Sequence, residues 1–139
     1  MSAFQNLMAF QRETEALAQI AGRLGWDQET MMPPGAAQQR GEEMSAIEGI
    51  LHARRTDPRV GDWLAGAQAA DAAGQRALDL IGRAYRRNAC IPARLAQETA
   101  RLTSVAQGIW ANARATDDVA AFLPTLALRL FNVFGPRQP

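Results

Sequence analysis

The chain has 139 residues, of which 47% are apolar and 21% charged, a length and composition typical of one globular domain. Its 15 basic residues nearly balance its 14 acidic ones, which argues against a polyanionic partner such as nucleic acid. All basic residues are arginine, which excludes lysine chemistry such as a Schiff base or a phosphate-binding lysine. The single cysteine, Cys90, cannot form an internal disulfide, so a reducing cytoplasm is the simplest expectation.

No sequence signal points to export or to membrane insertion. The first residues, Met1 to Asn6, lack the basic and then apolar run of a signal peptide. No apolar run approaches the ~20 residues that a membrane-spanning helix needs. We therefore expect a soluble, cytoplasmic protein without a membrane partner.

The first two predicted helices flank a proline-rich break. The first runs from about Ser2, a plausible N-cap, to Leu24, and Gly25 suits a left-handed C-cap. Pro-Pro-Gly at 33–35 then breaks the chain, and the second helix spans about 36–55. Apolar residues recur at three- and four-residue spacing in both: Phe4, Leu7, Met8, Leu17, Ile20, Ala21 and Leu24, then Met44, Ile47, Ile50 and Leu51.

Capping residues and prolines mark the starts of the later helices. Asp57-Pro58 begins a short third helix, Asp71 can cap a fourth, and Pro92 opens a fifth that reaches about Arg114. Thr116-Asp117-Asp118 caps another start, and Pro124 can begin one more helical segment. The predicted apolar residues are Val60, Trp63, Leu64, Leu78, Ile81, Tyr85, Leu95, Leu102, Val105 and Ile109, with Trp110 at or beside the stripe.

The pattern as a whole predicts an all-α fold. No stretch alternates apolar and polar residues like a half-buried strand, and there is no hairpin signal or internal repeat. The connections are short. We therefore expect a bundle of about five to six helices in which sequential helices are mostly antiparallel neighbours.

The only candidate metal ligands that share a helix face are Glu48 and His52, the sole histidine. A zinc site needs a third and usually a fourth ligand or water, and the nearest acids, Asp27 and Glu29, belong to another element. There is no H-E-x-x-H, C-x-x-C or EF-hand pattern. We interpret Glu48 and His52 as a partly exposed helix pair and weak metal candidates, and we predict no metal site from this chain alone.

Nucleophilic catalysis lacks neighbouring partners in the sequence. Cys90, Ser45 and Ser104 would each have to recruit His52 from a different helix. We interpret them as packing or helix-surface residues. The sequence therefore predicts no catalytic residue.

Arg76, Arg83, Arg86 and Arg87 form a largely outward face of the fourth predicted helix. This face could touch phosphate. Without interleaved aromatic residues or an overall basic excess, we interpret it as solvated and expect no nucleic-acid partner.

The three tryptophans, Trp26, Trp63 and Trp110, fall at or beside apolar stripes. Packing in the core or at an interface is the default for such large aromatic side chains. We expect all three to be covered in one of these two ways.

The segment 26–36 is the most unusual part of the chain. It carries a tryptophan, two acids, two methionines and Pro-Pro-Gly, whereas a connection between bundle helices needs only a few polar residues. We predict a packed corner between the first two helices. Because Asp27 and Glu29 have apolar neighbours, a buried acid here would need a partner, for which Arg40 or Arg23 is available.

The same segment carries a family resemblance. Residues 24–36, Leu-Gly-Trp-Asp-Gln-Glu-Thr-Met-Met-Pro-Pro-Gly-Ala, followed by Arg40, resemble the N-terminal motif of the carboxypeptidase Taq family. Similar stretches follow in order over about 17–126: 44–57, Tyr85 with 91–95, 104–110 and 122–126. The resemblance gives a structural role to Trp26, Asp27, Met32, Pro33 and Arg40.

The resemblance implies a long, almost wholly helical zinc metallocarboxypeptidase with a deep cleft, commonly a homodimer, that removes C-terminal residues from peptides. It implies a zinc held by both histidines of H-E-x-x-H and a downstream glutamate, with the glutamate of the motif as general base. All of these lie beyond the matched region, so no catalytic or zinc-binding residue carries over to this chain. The matched region corresponds to N-terminal helices that form part of the cleft wall or lid.

The residues after Leu126 depart from the family pattern, which continues into a long, charged helix. Here 127–139 is apolar and ends soon after Gly135-Pro136. We therefore expect a helical domain over 1–126 and a divergent, truncated or frameshifted tail over 127–139. The expected function is the N-terminal cleft-wall domain of a metallocarboxypeptidase, inactive alone and without its own cofactor, in a fragment or shortened paralogue. Peptide would be a partner only of a full-length enzyme.

Two other functions remain open. One is a helical interaction or dimerisation module with an exposed apolar patch, and the other is a small metal-binding bundle through Glu48 and His52. The candidate patch residues are Leu128, Leu130, Phe131, Val133 and Phe134.

Overall fold

Six α-helices make up the fold in the computed structural model, which describes residues 2–33 and 35–134, with the backbone alone at 129 and 131–134. No strand occurs among these residues, and the predicted all-α fold class is confirmed. No described helix combines the length and the apolar character that a membrane crossing requires. The helices are α1 (Ala3–Thr30), α2 (Ala37–Arg55), α3 (Pro58–Gly66), α4 (Ala72–Ala89), α5 (Ala93–Ala115) and α6 (Val119–Phe134).

Helix α1 begins where the sequence predicted and ends later. Ser2 caps it, and its hydroxyl accepts a hydrogen bond from the Gln5 backbone N–H while the Gln5 side chain accepts one from the Ser2 N–H. The predicted end at Leu24 with a C-cap at Gly25 is wrong, because the helix continues to Thr30. Each interior glycine costs about 1 kcal/mol relative to alanine, and contacts made by the added turn offset this cost.

The break between α1 and α2 lies within the segment predicted as a corner. Met32 and Pro33 are non-helical, and Gly35 has φ +91°, a conformation that side chains with a Cβ rarely adopt. Helix α2 starts at Ala37 without a side-chain cap. Its last turn carries His52, Arg54 and Arg55, which suit the negative end of the helix dipole.

The predicted starts of α3, α4 and α5 are confirmed. Asp57 accepts a hydrogen bond from the Arg59 N–H at 2.9 Å, with Pro58 in the first turn. Asp71 accepts one from the Gly74 N–H at 2.7 Å. Pro92 is the N-cap of α5.

Asp117, in the turn from α5 to α6, has a φ of +52°. No other non-glycine residue of the described backbone has a positive φ. The Asp118 N–H donates to the Ala113 carbonyl at 2.8 Å, which is the Schellman helix end with aspartate in the position that glycine usually takes. Pro124 does not begin a separate segment as predicted but lies inside α6. The hydrogen bond that residue 124 cannot donate is lost, and packing of α6 on α5 compensates for it.

The apolar core lies where α1, α3 and α4 meet. Leu7, Val60 and Leu78 are buried, and Leu7 is fully so at 0% exposure. Phe10 and Trp63 pack edge to face at the border of this cluster, with ring centroids 5.5 Å apart. These residues confirm the predicted inward positions Leu7, Val60 and Leu78, whereas Ile20 of the predicted α1 stripe is 46% exposed.

Arg54 joins the end of α2 to this core. Its guanidinium lies 4.0 Å from the centroid of the Phe10 ring and donates to the Thr14 hydroxyl at 2.9 Å and to the Phe10 carbonyl at 3.0 Å. It also pairs with Glu13. Thr14 is buried, and its hydroxyl also donates to the Phe10 carbonyl at 3.0 Å, so the arginine completes the hydrogen bonding of this buried polar group.

Helices α2 and α5 form the most extensive contact of the fold, although they are not sequential. Gly41 makes this approach possible, because a Cβ there would lie 2.8 Å from Val105 Cγ2 and 3.3 Å from the Arg101 carbonyl oxygen. The predicted inward residues Leu51 of α2 and Leu102 of α5 are buried, whereas Ile50 is exposed.

Candidate functional site

Arg40 of α2 holds the family-like segment, residues 24–36, in place. It bonds to two residues of α1 and to one residue of its own helix. From α2, its Nη2 lies 2.5 Å from Asp27 Oδ2, its Nη1 donates to the Leu24 carbonyl, and its Nε lies 2.8 Å from Glu43 Oε2. The arginine side chain is 12% exposed and that of Asp27 38%. The prediction that an arginine would partner the acid is confirmed for Arg40, and the planar guanidinium suits several directed bonds at once.

These contacts also hold the arginine in its charged form. The hydrogen bond to Asp27 is the main cause that raises the pKa of Arg40 above its ordinary value, and Glu43 adds to it, while burial acts in the opposite direction. The last turns of α1 are therefore tied to α2 by a permanently charged group.

Gln28 ties the same part of α1 to α5. Its Nε2 donates to the Ser104 carbonyl at 2.7 Å, and the Ser104 hydroxyl donates to Gln28 Oε1 at 2.8 Å. The two residues are 76 positions apart in the chain, so nothing in the local pattern pairs them. Gln28 is the residue of the segment that sequence reasoning missed, and with Arg40 it explains why α1 continues past Gly25.

The bulky side chains of the segment do not pack as predicted. Trp26 is 64% exposed and Met31 is 69% exposed, and Glu29 is also exposed. Core packing of Trp26 was therefore a wrong expectation, because the segment turns Asp27 and Gln28 toward α2 and α5 and the tryptophan outward. Trp110 is likewise exposed, at 46%. Packing of either tryptophan at an interface stays a prediction.

The weak metal candidates are engaged in other contacts. Nε2 of His52 lies 2.8 Å from the Ile91 carbonyl oxygen, so this nitrogen must carry the proton that it donates. Glu48 pairs with Arg55 at 3.3 Å. His52 is buried, which corrects the expectation of a partly exposed pair.

A zinc ion does not fit the donor groups that the described residues offer. No three histidine, cysteine, aspartate or glutamate side chains come together in the described part of the chain. A zinc site requires three or four such ligands, and one nitrogen of the sole histidine is already donating to a carbonyl. No reaction step is therefore assigned to a metal on these residues.

The candidate nucleophiles also have other roles. Ser104 is buried and bonded to Gln28. Cys90 is exposed, and its Sγ donates to the Arg86 carbonyl at 3.3 Å. These contacts agree with the interpretation of both as packing or helix-surface residues.

The arginine-rich face of α4 borders a groove of about 500 Å³ between α3 and α4. Arg76, Arg83 and Arg86 line it, whereas Arg87 does not. All four are exposed, as predicted. The concavity was missed because it depends on where α3 packs.

The chain is similar to proteins of one peptidase family. The family model described as carboxypeptidase Taq (M32) metallopeptidase matches residues 6–133. Thermostable carboxypeptidase 1 of Thermus thermophilus is 40% identical over 131 residues, which cover 90% of this chain and 26% of the relative. This chain thus spans about a quarter of the length of that curated relative.

A solved structure described as "BsuCP Crystal Structure" shares the fold, with a TM-score of 0.88 at 17% identity. The superposition covers 99% of this chain and 29% of the other. At this identity the likeness supports the helical architecture alone.

Proposed function

Because the chain belongs to the carboxypeptidase Taq (M32) metallopeptidase family, we propose that it forms the N-terminal helical wall of the substrate cleft of a zinc-dependent carboxypeptidase. The match of residues 6–133 to the family carries this proposal. In this role the chain supplies shape and a binding surface, while the metal and the general base are supplied by residues outside it.

We assign the zinc ligands and the general base to residues outside this chain because it contains too few histidines. An H-E-x-x-H zinc motif needs two histidines on one helix face, and the 139 residues contain one. That histidine, His52, instead fastens α2 to the turn before α5. We therefore expect the isolated chain to release no amino acid from the C-terminus of a peptide.

A cleft wall must keep its shape while substrate binds. Arg40 and Gln28 serve this purpose, because they fix the last turns of α1 to α2 and to α5. The exposed Trp26 and Met31 then stand on a rigid support, where they can contact either a peptide or another part of the enzyme.

The test combines the isolated chain with a chimaera. In the chimaera, residues 6–133 replace the segment of the Thermus relative with which they align. We expect zinc-dependent release of C-terminal amino acids from the chimaera and none from the isolated chain. Release by the pure chain that stops on chelation and in His52→Gln would overturn the proposal, and so would a folded chimaera that binds zinc but releases nothing.

A second candidate function is supported by the surface of α6. Val119, Leu123, Leu126, Leu128 and Leu130 are 38–69% exposed, which is unusual for neighbours on one helix of a monomer. This supports an interaction or dimerisation module. The other predicted patch residues, Phe131, Val133 and Phe134, have side chains outside the described part.

Sedimentation of the purified chain shows whether it is a monomer or a dimer. A dimer should convert to monomer in a Leu123→Glu/Leu128→Glu double variant and persist in the matched Ala120→Glu/Ala121→Glu variant, which adds the same charge on the same helix. A strict monomer at high concentration would remove the support for this second function.

A further inference from the structure

The groove between α3 and α4 presents three arginines on one side. Arg76, Arg83 and Arg86 come from α4, at spacings of seven and three residues. These spacings place them on one helix face. With a rise of 1.5 Å per residue, Arg76 and Arg83 stand about 10 Å apart along the axis and Arg86 about 4–5 Å further on. The groove therefore offers a row of positive charges rather than one isolated charge.

These charges are free of partners within the described part of the chain. None of the three guanidinium groups forms an ion pair there. The carboxylate that lines the same groove, Asp79, lies three or four residues from Arg76 and Arg83, yet it accepts a hydrogen bond from Gln75 Nε2 at 3.2 Å. The groove thus has unused arginine donors, and its three arginines against one carboxylate leave its lining with a net charge of +2.

The lining of the groove is mostly polar, with a few apolar side chains among the arginines. Leu64 and Leu78 line the groove beside Gly82. A Cβ at Gly82 would lie 3.4 Å from Nη1 of Arg86 and 3.9 Å from a methyl carbon of Leu64. The guanidinium therefore lies close over the helix backbone, and a ligand that binds it also covers apolar surface.

We propose that this groove binds an acidic peptide segment, with carboxylates on Arg76, Arg83 and Arg86 and the peptide backbone over Leu64 and Leu78. Alternate residues of an extended peptide share a face and lie about 7 Å apart. This separation falls between the roughly 10 Å from Arg76 to Arg83 and the roughly 4–5 Å from Arg83 to Arg86, so the long arginine side chains can meet successive carboxylates. Arginine binds carboxylates through two parallel hydrogen bonds. The choice of a peptide rests on the proposed function and adds to it a preference for acidic residues in the bound chain.

A nucleic acid fits the groove less well. Its lining contains no aromatic side chain on which a base could stack. The chain as a whole has a net charge of only +1, so a long polyanion would meet little further attraction. Three arginines in a mostly polar groove match a short ligand with a few carboxylates.

Fluorescence anisotropy of a labelled peptide with glutamates at alternate positions, Gly-Ser-Glu-Ser-Glu-Ser-Glu-Ser-Gly, measures the binding directly. The full 139-residue chain is titrated against this peptide and against the same peptide with glutamine for glutamate. The groove variant is Arg76→Gln/Arg83→Gln/Arg86→Gln. The control variant, Arg12→Gln/Arg23→Gln/Arg87→Gln, removes the same number of exposed arginines, one of them on α4 but outside the groove.

We expect the acidic peptide alone to bind, and the groove variant to weaken its binding about tenfold while the control changes it less than about twofold, since each surface pair adds only a modest share. Equal weakening by both variants would overturn the proposal, as would equal binding of the glutamine peptide. Tighter binding of a single-stranded oligonucleotide of the same charge would also overturn it. No hydrolysis is measured, so a failure here is distinguishable from a failure of the chimaera.

Discussion

The contacts of α1, α3 and α4 differ in kind from those of α2, α5 and α6. In the first group, Leu7, Val60 and Leu78 form a closed apolar cluster with aromatic residues around it. In the second group, α2 and α5 meet closely at Gly41, and α6 leaves large apolar side chains exposed. The first group is thus centred on one apolar cluster, whereas the second leaves much of the apolar surface of α6 uncovered.

Polar side chains fasten the end of α1 to the second group. Arg40 and Gln28 make directed bonds from this end to α2 and α5, and they fix position more than they add apolar burial. The α1–α3–α4 group is thus held by one apolar cluster, whereas α2 and α5 are held by close approach and α6 presents an apolar surface.

The largest effect is expected in the closed cluster. Leu7→Ala removes a side chain with 0% exposure and should lower the free energy of unfolding by about 2–5 kcal/mol. Leu128→Ala, at a leucine that is 49% exposed, should change it by less than about 0.5 kcal/mol. Urea denaturation followed by circular dichroism measures both. Similar losses for the two variants would mean that the two groups do not differ as described.

The packing of the second group depends on the close approach of α2 and α5. Substitutions at two glycines test this dependence. Gly41→Ala should cost about 1–3 kcal/mol of unfolding free energy, because the new Cβ would meet Val105 and the Arg101 carbonyl oxygen. Gly25→Ala has nothing within 4 Å of its Cβ and should stabilise α1 by up to about 1 kcal/mol. The same denaturation experiment applies. A neutral Gly41→Ala would show that α2 and α5 can move apart freely.

Patterns that act within one helix could be read from the sequence. The caps at Ser2, Asp57 and Asp71 were predicted because a short polar side chain before an apolar stripe has one main use. The burial of Leu7 and Leu78 followed from helical spacing in the same way.

Most features that depend on residues far apart in the chain could not be predicted from the sequence. Local propensity ends α1 at Gly25, but Gln28 and Ser104 hold it helical through a contact across 76 positions. The Arg40–Asp27 pair was foreseen because an acid among apolar residues needs a partner. The groove of Arg76, Arg83 and Arg86 was not, since its other wall is supplied by α3.

Loss of the hydrogen bonds of Arg40 should have an intermediate effect on the free energy of unfolding. Arg40→Leu leaves Asp27, Glu43 and the Leu24 carbonyl without their shared donor and should cost about 1–3 kcal/mol. Arg40→Lys should recover only part of this, because an ammonium group cannot reach all three acceptors with the same geometry. Arg23→Leu, at an exposed arginine of α1, is the control. An Arg40→Leu loss no larger than that of the control would show that the end of α1 is held by Gln28 alone.

The smallest effect concerns a cap in the first group and depends on pH. The pKa of Asp57 is lowered, first by the side-chain hydrogen bond from Arg59 and then by the bond from the Arg59 backbone N–H. A lowered pKa means that the ionised form stabilises the folded state above the ordinary pKa of 3.8 and that this stabilisation is lost as the pH falls through the folded value. Asp57→Ala should therefore cost about 1 kcal/mol at pH 7 and progressively less below about pH 4. Asp62→Ala, at an exposed acid of α3, is the control. A cost for Asp57→Ala that stays constant down to about pH 2 would mean that the neutral acid caps α3 as well as the carboxylate does, and α3 would then owe its place to Val60 and Trp63 in the cluster and not to its charged start.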